Sequence, residues 1–213
     1  MSAGRASALL QVAAWLVFAA SAHAQTDLAV RGFADVGSVS FAAERTFEAV
    51  LGGRSGPVFG GGVEVLLPEN LFVDFRASRF RRTGQRVFVY NNESFPLGIP
   101  VTVSITPLEL VGGYRFVTRS RVTPYAGAGI GWHRYEETSE FADANENVHE
   151  WFTGFHVLGG AEVRLARWIG AGGDVDWATV PDALGQHATG ASRELQESNL
   201  GGFTLRARVV IGR

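Results

Sequence analysis

In "FTLRARVVI", Phe203 to Ile211, the apolar residues Phe203, Leu205, Ala207, Val209 and Ile211 alternate with a face that carries Arg206 and Arg208. A repeat of two is the side-chain period of a β-strand, so the charges collect on one face and the apolar groups on the other. The same sorting recurs along the chain. Between 70 and 81, Asp74 and Arg76 oppose Leu71, Val73, Phe75 and Ala77, and between 103 and 118, Glu109 and Arg115 oppose Leu108, Leu110, Tyr114 and Phe116. Between 150 and 166, His156, Glu162 and Arg164 oppose Phe155, Val157, Ala161, Val163 and Leu165. Between 168 and 180, Asp174 and Asp176 oppose Ile169, Ala171, Val175 and Trp177. Segments 28–41 and 58–67 follow more loosely, with Arg31, Asp35 and Glu64 as polar members. Segments 122–134 and 199–212 complete eight predicted strands. Glycine interrupts nearly every apolar run, which counts against long helices.

The links between these strands alternate in length. Tight turns fall near Pro68-Glu69, Arg119-Ser120 and Ala166-Arg167, and long polar links span 42–57, 82–102, 135–149 and 181–198. Short turns on one rim and long loops on the other predict an all-β, eight-stranded, antiparallel up-and-down transmembrane β-barrel. Energetics choose which face looks outward. A charged side chain turned toward lipid costs roughly 2–4 kcal/mol near the midplane for arginine and somewhat less for an acid. A dozen such errors exceed a net stability of about 5–15 kcal/mol. The apolar faces therefore meet lipid and the charged faces point into the barrel, the reverse of a soluble lipocalin-like barrel. Trp132, Trp151 and Trp177 have outward parity at the long-loop ends of neighbouring strands, where an interfacial girdle belongs, and Tyr114 and Phe116 fit the opposite girdle.

The inward set holds the acids Asp35, Glu64, Asp74, Glu109, Glu162, Asp174 and Asp176 and the bases Arg31, Arg76, Arg115, Arg164, Arg206 and Arg208. The interior of an eight-stranded barrel is just wide enough for side chains to fill. Guanidinium groups interleaved with carboxylates are expected to plug it through paired hydrogen bonds. Gly127, Gly129 and Gly131 of "GAGIG" share inward parity, and their missing side chains are expected to make room for the arginines and His156. They do not form a dinucleotide-binding loop, because position 132 is Trp and strand continues beyond it.

Residues 1–24 carry the pattern of a secretory signal: Arg5, the apolar run "ALLQVAAWLVFAA" and the small-x-small site Ala22-His23-Ala24. Residues 25–213 then form the barrel. The chain has no cysteine, which excludes disulfides and thiolate metal sites. Its formal net charge is −2, and loss of Arg5 makes the mature chain one unit more negative, a balance that does not suggest a nucleic-acid partner, which would call for a basic face.

Other candidate sites are weaker. The histidines His133, His149, His156 and His187 show neither HxH nor HExxH spacing and no serine motif at a diagnostic spacing, and whether Ser78 or Ser104 approaches one of them is decided by the fold and not by the sequence. No cofactor is expected. The loop "EETSEFADANENVHE" clusters Glu136, Glu137, Glu140, Asp143, Glu146 and Glu150, yet lacks the glycine-bearing calcium-loop pattern and reads as a solvated acidic loop. In "SRFRRTGQR", Arg79, Arg81, Arg82 and Arg86 gather where a strand leaves the bilayer, suited to lipopolysaccharide phosphates or to snorkelling. Phe47, Val50 and Leu51 recur at helical spacing in the first long link, which predicts a short amphipathic helix over the barrel mouth.

"TPLELVGGYRF", "TPYAGAGIGWHRY", "VLGGAEVRL" and the final alternating strand together resemble the small outer-membrane β-barrel proteins, the group of OmpA-like, OmpX-like and OmpW-like barrels. The resemblance covers essentially all of 25–213. It implies an outer-membrane location in a Gram-negative-type envelope, lipid and lipopolysaccharide as surroundings, and insertion by the barrel assembly machinery. Such barrels usually finish in an aromatic residue, whereas this sequence reads Val209-Val210-Ile211-Gly212-Arg213. The expected role is structural or interactive at the cell surface, through loops whose partner the sequence does not name. A porin-like channel or carrier for small solutes, apolar ones included, is the alternative, and a lipid A acyl-modifying enzyme is the less favoured one.

Overall fold

Alternation fixes both the conformation and the register of the strands. Because the side-chain period is two, slipping a strand by one residue would turn its charges to the outside. The computed structural model describes residues 28–91, 93–139, 148–185 and 191–212. Its strands are β1 (Ala29–Phe41), β2 (Ser55–Leu66), β3 (Leu71–Tyr90), β4 (Glu93–Arg115), β5 (Val122–Thr138), β6 (Val148–Arg164), β7 (Ile169–Thr179) and β8 (Gly202–Gly212). Each pairs antiparallel with its neighbours in sequence, and β8 closes on β1 with Asp35 opposite Arg208 and Phe33 opposite Val210. Within the barrel wall, closure leaves no free sheet edge, so backbone groups there are satisfied without water. The signal segment 1–24 lies outside the described residues.

Burial follows parity around the barrel. On β8, Phe203, Leu205, Val209 and Ile211 are exposed while Thr204, Arg206, Arg208 and Val210 are buried. Val36, Phe59, Val63, Phe75, Val157 and Val175 extend the exposed apolar belt over the other strands. Trp132, Trp151 and Trp177 are exposed on outward parity, as the girdle requires. At the short-turn rim Tyr114 and Phe116 meet edge to face at 5.1 Å, and Trp168 joins them there as an exposed aromatic that the alternation did not single out.

The long links differ from expectation in one place. Segment 82–102 is not a loop: β3 and β4 continue as a hairpin whose tip is Asn91, with Val89 opposite Ser94 and Phe88 opposite Phe95. Asn91 adopts φ +50°, a turn conformation asparagine tolerates, and a bulge between Gln85 and Val87 shifts the register partway up. β-Branched Val87, Val89, Ile99, Val101 and Val103 give this stretch its strand preference, which its polar residues obscured.

The predicted helix forms as α1 (Glu44–Leu51), ended by Gly52 at φ +70°. The backbone N–H groups of Arg45 and Thr46 donate to the Glu197 carboxylate at 3.1 and 2.7 Å, so an acid from the β7–β8 link caps the helix. That link also contains α2 (Ala191–Glu194). Phe47 stacks on Phe41 at 4.2 Å, and Phe41 meets Phe80 edge-on at 5.0 Å. With Leu51, Val103, Ile105, Val180 and Leu200 they make an apolar cap over the long-loop mouth.

Candidate functional site: a charge-filled lumen and its two mouths

Below the cap the inward side chains stack in layers. Nearest the cap, Arg206 reaches Asp176 at 3.1 Å, Glu109 at 3.2 Å and Asp174 at 3.5 Å, joining β8 to β7 and β4. In the middle, Arg76 stands 3.5 Å from Asp35, 3.5 Å from Asp174, 3.7 Å from Asp74 and 3.9 Å from Glu109. These are ionic contacts longer than hydrogen bonds. Nearer the short turns, Arg208 sits 3.4 Å from Asp74 and 3.5 Å from Glu64, and Arg115 sits 3.1 Å from Glu162 and 3.3 Å from Glu64. Arg31 forms the paired fork expected of guanidinium and carboxylate, donating from Nη1 and Nη2 to Glu162 at 2.8 and 2.9 Å, and it also binds Glu64.

Twelve of the thirteen residues expected in the lumen thus meet there. Arg164 departs: it has inward parity but lies exposed at the end of β6, where the barrel opens. Without it, seven acids face five arginines among the described residues, so the interior charge is less balanced than the sequence suggested.

Aromatic residues supply the part of the lumen that a search for charges passed over. Arg76 and Arg208 lie over the Phe33 ring at 5.2 and 5.4 Å, and Arg208 and Arg115 lie over Tyr125 at 4.5 and 5.8 Å. Such cation–π contacts stabilise a guanidinium face that hydrogen bonds leave uncovered. Tyr125 donates to Asp174 at 3.2 Å and packs with Phe72, Val111 and Leu158 in a small apolar cluster. Parity was the available signal, since Phe33 and Phe72 alternate in step with the charged residues of their strands and Tyr125 with Gly127, Gly129, Gly131 and His133.

The "GAGIG" glycines do face inward, but the arginines do not take their space. A Cβ on Gly131 would come within 2.4 Å of His156 Nε2, and one on Gly127 would meet Val111 at 2.9 Å and Phe72 at 3.2 Å. At Gly129 the obstacle is the Leu110 carbonyl at 2.0 Å. These positions admit an imidazole, an aromatic ring and a neighbouring strand.

Between cap and upper charge layer lies a cavity of about 40 Å³ whose floor includes Glu109, His133, His156, Asp176, Arg206 and Ser78. His133 and His156 stack with ring centroids 5.2 Å apart, and His156 Nδ1 lies 3.2 Å from Asp176. Donor atoms of Glu109, His156 and Asp176 fall within 4.8 Å of one another, a grouping suited to a cation. Arg206 already supplies positive charge there, bonded to both carboxylates. Sequence spacing did not reveal the trio, because its members come from β4, β6 and β7 and converge only on closure. Ser78 lines this cavity without a hydrogen bond to either histidine, and Ser104 sits on outward parity.

The surface candidates divide. Arg79 and Arg81 are exposed with outward parity on β3. Arg82 points to the other face and donates to the carbonyls of Ser55 at 2.8 Å and Gly53 at 3.5 Å, tying the loop after α1 to the barrel. Arg86 lies at the bulge, well up the hairpin. In the acidic loop, Glu136 is held by Arg134 at 2.6 Å and His149 at 3.3 Å, and Glu137 accepts from Tyr135 at 3.1 Å. Glu140, Asp143 and Glu146 lie outside the described residues.

The sequence matches the family described as outer membrane protein beta-barrel domain over residues 10–204. Among solved structures, the chain is similar to Neisserial surface protein A at 14% identity and a TM-score of 0.53, covering 86% of this chain and 96% of that one. It is similar to a major outer membrane protein from Thermus thermophilus at 12% identity and a TM-score of 0.51, covering 86% of this chain and 99% of that one. At such identities the likeness is one of fold. No curated protein matches the sequence significantly.

Proposed function

Since the chain belongs to the outer membrane protein β-barrel family and hence to the outer membrane, we propose that it is a closed, non-conducting barrel that presents the β3–β4 hairpin at the cell surface. The observation that carries this reading is the double closure of the lumen. The apolar cap packs across the long-loop mouth, and Arg206, Arg76 and Arg208 bridge opposite walls below it.

Above the cap, Gln85 to Tyr90 at about 3.4 Å per residue projects the hairpin on the order of 17 Å outward. Its exposed Phe88 (57%), Tyr90 (61%), Phe95 and Leu97 form an apolar tip, the kind of surface that marks an interaction site. Export by a cleaved leader over 1–24, insertion by the barrel assembly machinery, and contact of Arg79 and Arg81 with lipopolysaccharide phosphate belong to the same proposal. It assigns the barrel no chemical step.

The carrier reading draws on the apolar upper wall of the 40 Å³ cavity. The charge layers beneath stand against a through path. Conductance of the purified barrel in planar bilayers tests the proposal: a flat baseline is expected, and stable ion-selective openings would favour the channel.

A further inference from the structure

At the short-turn mouth the lumen widens into a vestibule of about 650 Å³, within the range that holds small-molecule ligands. Its wall includes Arg31, Arg115, Arg121 and Arg164, and among the described residues no carboxylate side chain lines it. Arg31 and Arg115 close its inner end and are satisfied by Glu64 and Glu162. Arg121 and Arg164 are exposed, and among the described residues neither has an acidic partner. The Arg164 N–H donates to the Arg121 carbonyl at 3.2 Å, which brings the two side chains to one side of the opening. Arg119 and Arg167 add positive charge on the neighbouring turns, against Glu69 as the acid of the described short turns.

We propose that this vestibule binds the phosphate of an anionic lipid in the inner leaflet of the outer membrane. Two planar guanidinium groups without acidic partners suit a phosphate oxygen pair. The lining also fits the rest of a lipid. Leu71 and Leu165, which have lipid-facing parity and are exposed, belong to the vestibule wall as well. The cavity is therefore continuous with the outer surface, so a headgroup held by Arg121 and Arg164 leaves its acyl chains against the apolar belt. The short turns of such barrels face the periplasm, which places the vestibule level with that leaflet. The inference rests on the membrane placement and is independent of whether the lumen conducts.

The test is native mass spectrometry of the detergent-folded barrel with phosphatidylglycerol or phosphatidylcholine, with glycerol phosphate as soluble competitor. Phosphatidylglycerol is expected to be retained over phosphatidylcholine and not displaced by glycerol phosphate. The double variant Arg121→Gln/Arg164→Gln is expected to lose about ten-fold or more of that retention. It should keep wild-type heat-modifiability, because neither side chain joins the lumen network. Equal retention of the two lipids, or unchanged retention by the variant, overturns the site. Displacement by glycerol phosphate overturns the lipid source in favour of a soluble phosphate. Arginine-dependent binding of peptidoglycan fragments without lipid retention overturns it in favour of the cell wall.

Discussion

Replacing Arg76 by Met removes the hub of the middle charge layer while keeping most of the side-chain volume. Arg76 is 1% exposed and faces Asp35, Asp74, Glu109 and Asp174 within 3.9 Å. At 3.5 Å and an effective dielectric of about 20, each attraction is roughly 5 kcal/mol before desolvation and repulsion among the acids are set against it. Breaking a buried ion pair by deleting one partner costs a net of about 3–5 kcal/mol, because the other charge remains buried and uncompensated. With a urea slope of about 2 kcal/mol/M, the unfolding midpoint should fall by about 2 M. The assay is equilibrium urea unfolding of barrel folded into lipid vesicles, followed by tryptophan emission and the gel shift of boiled against unboiled samples. Arg81→Met serves as control, since Arg81 is exposed and its loss should stay within about 0.5 kcal/mol. The further change Asp174→Asn in the Arg76→Met background should recover part of the loss by removing one orphaned acid. If Arg76→Met and Arg81→Met shift the midpoint equally, the arginine layers do not hold the lumen together and the reasoning fails.

Three other sets of substitutions probe different parts of the molecule. Gly131→Val places atoms within 2.4 Å of His156 and 3.0 Å of His133, so it should destabilise by about 1–3 kcal/mol in the same unfolding assay. Phe47→Ala removes the ring stacked on Phe41 and should cost about 3–5 kcal/mol in the cap, read as faster hydrogen exchange of the α1 amides. Val157→Arg on the lipid-facing side of β6 should cost about 2–4 kcal/mol, whereas Phe88→Ser at the hairpin tip should leave the unfolding midpoint within about 0.5 kcal/mol.

Much of this architecture was legible because lipid imposes a strict rule on one face of every strand. Asp74, Arg76, Arg206 and Arg208 could be assigned to the interior from alternation alone, and burial agrees for each. What alternation misses is a residue acceptable on either face. Phe33, Phe72 and Leu158 are apolar yet inward, and they are revealed only by counting in step with the charges of their strands, whereas Tyr125 is revealed by its step with the glycines of β5. The β3–β4 hairpin was hidden for a related reason. Above the bilayer neither face must be apolar, so Arg86, Asn91 and Glu93 read as loop although the backbone keeps pairing to Tyr90. Arg164 shows the converse limit, since parity tells which way a side chain points but not whether the barrel is still closed at its height. The Glu109–His156–Asp176 group could not be seen at all, because its spacing is a property of the closed cylinder.

The central claim is that each strand presents one face to lipid and packs the other into a filled lumen. The absence of cysteine gives a clean background for single spin labels. Cysteines placed in turn at Phe203, Thr204, Leu205, Val209, Val210 and Ile211 in the vesicle-reconstituted barrel would carry labels whose collisions with dissolved oxygen report lipid contact. High oxygen collision rates at 203, 205, 209 and 211 with low rates at 204 and 210 are expected, matching the exposed and buried positions of β8. High rates at 204 and 210, or no alternation between the two sets, would contradict the inside-out arrangement.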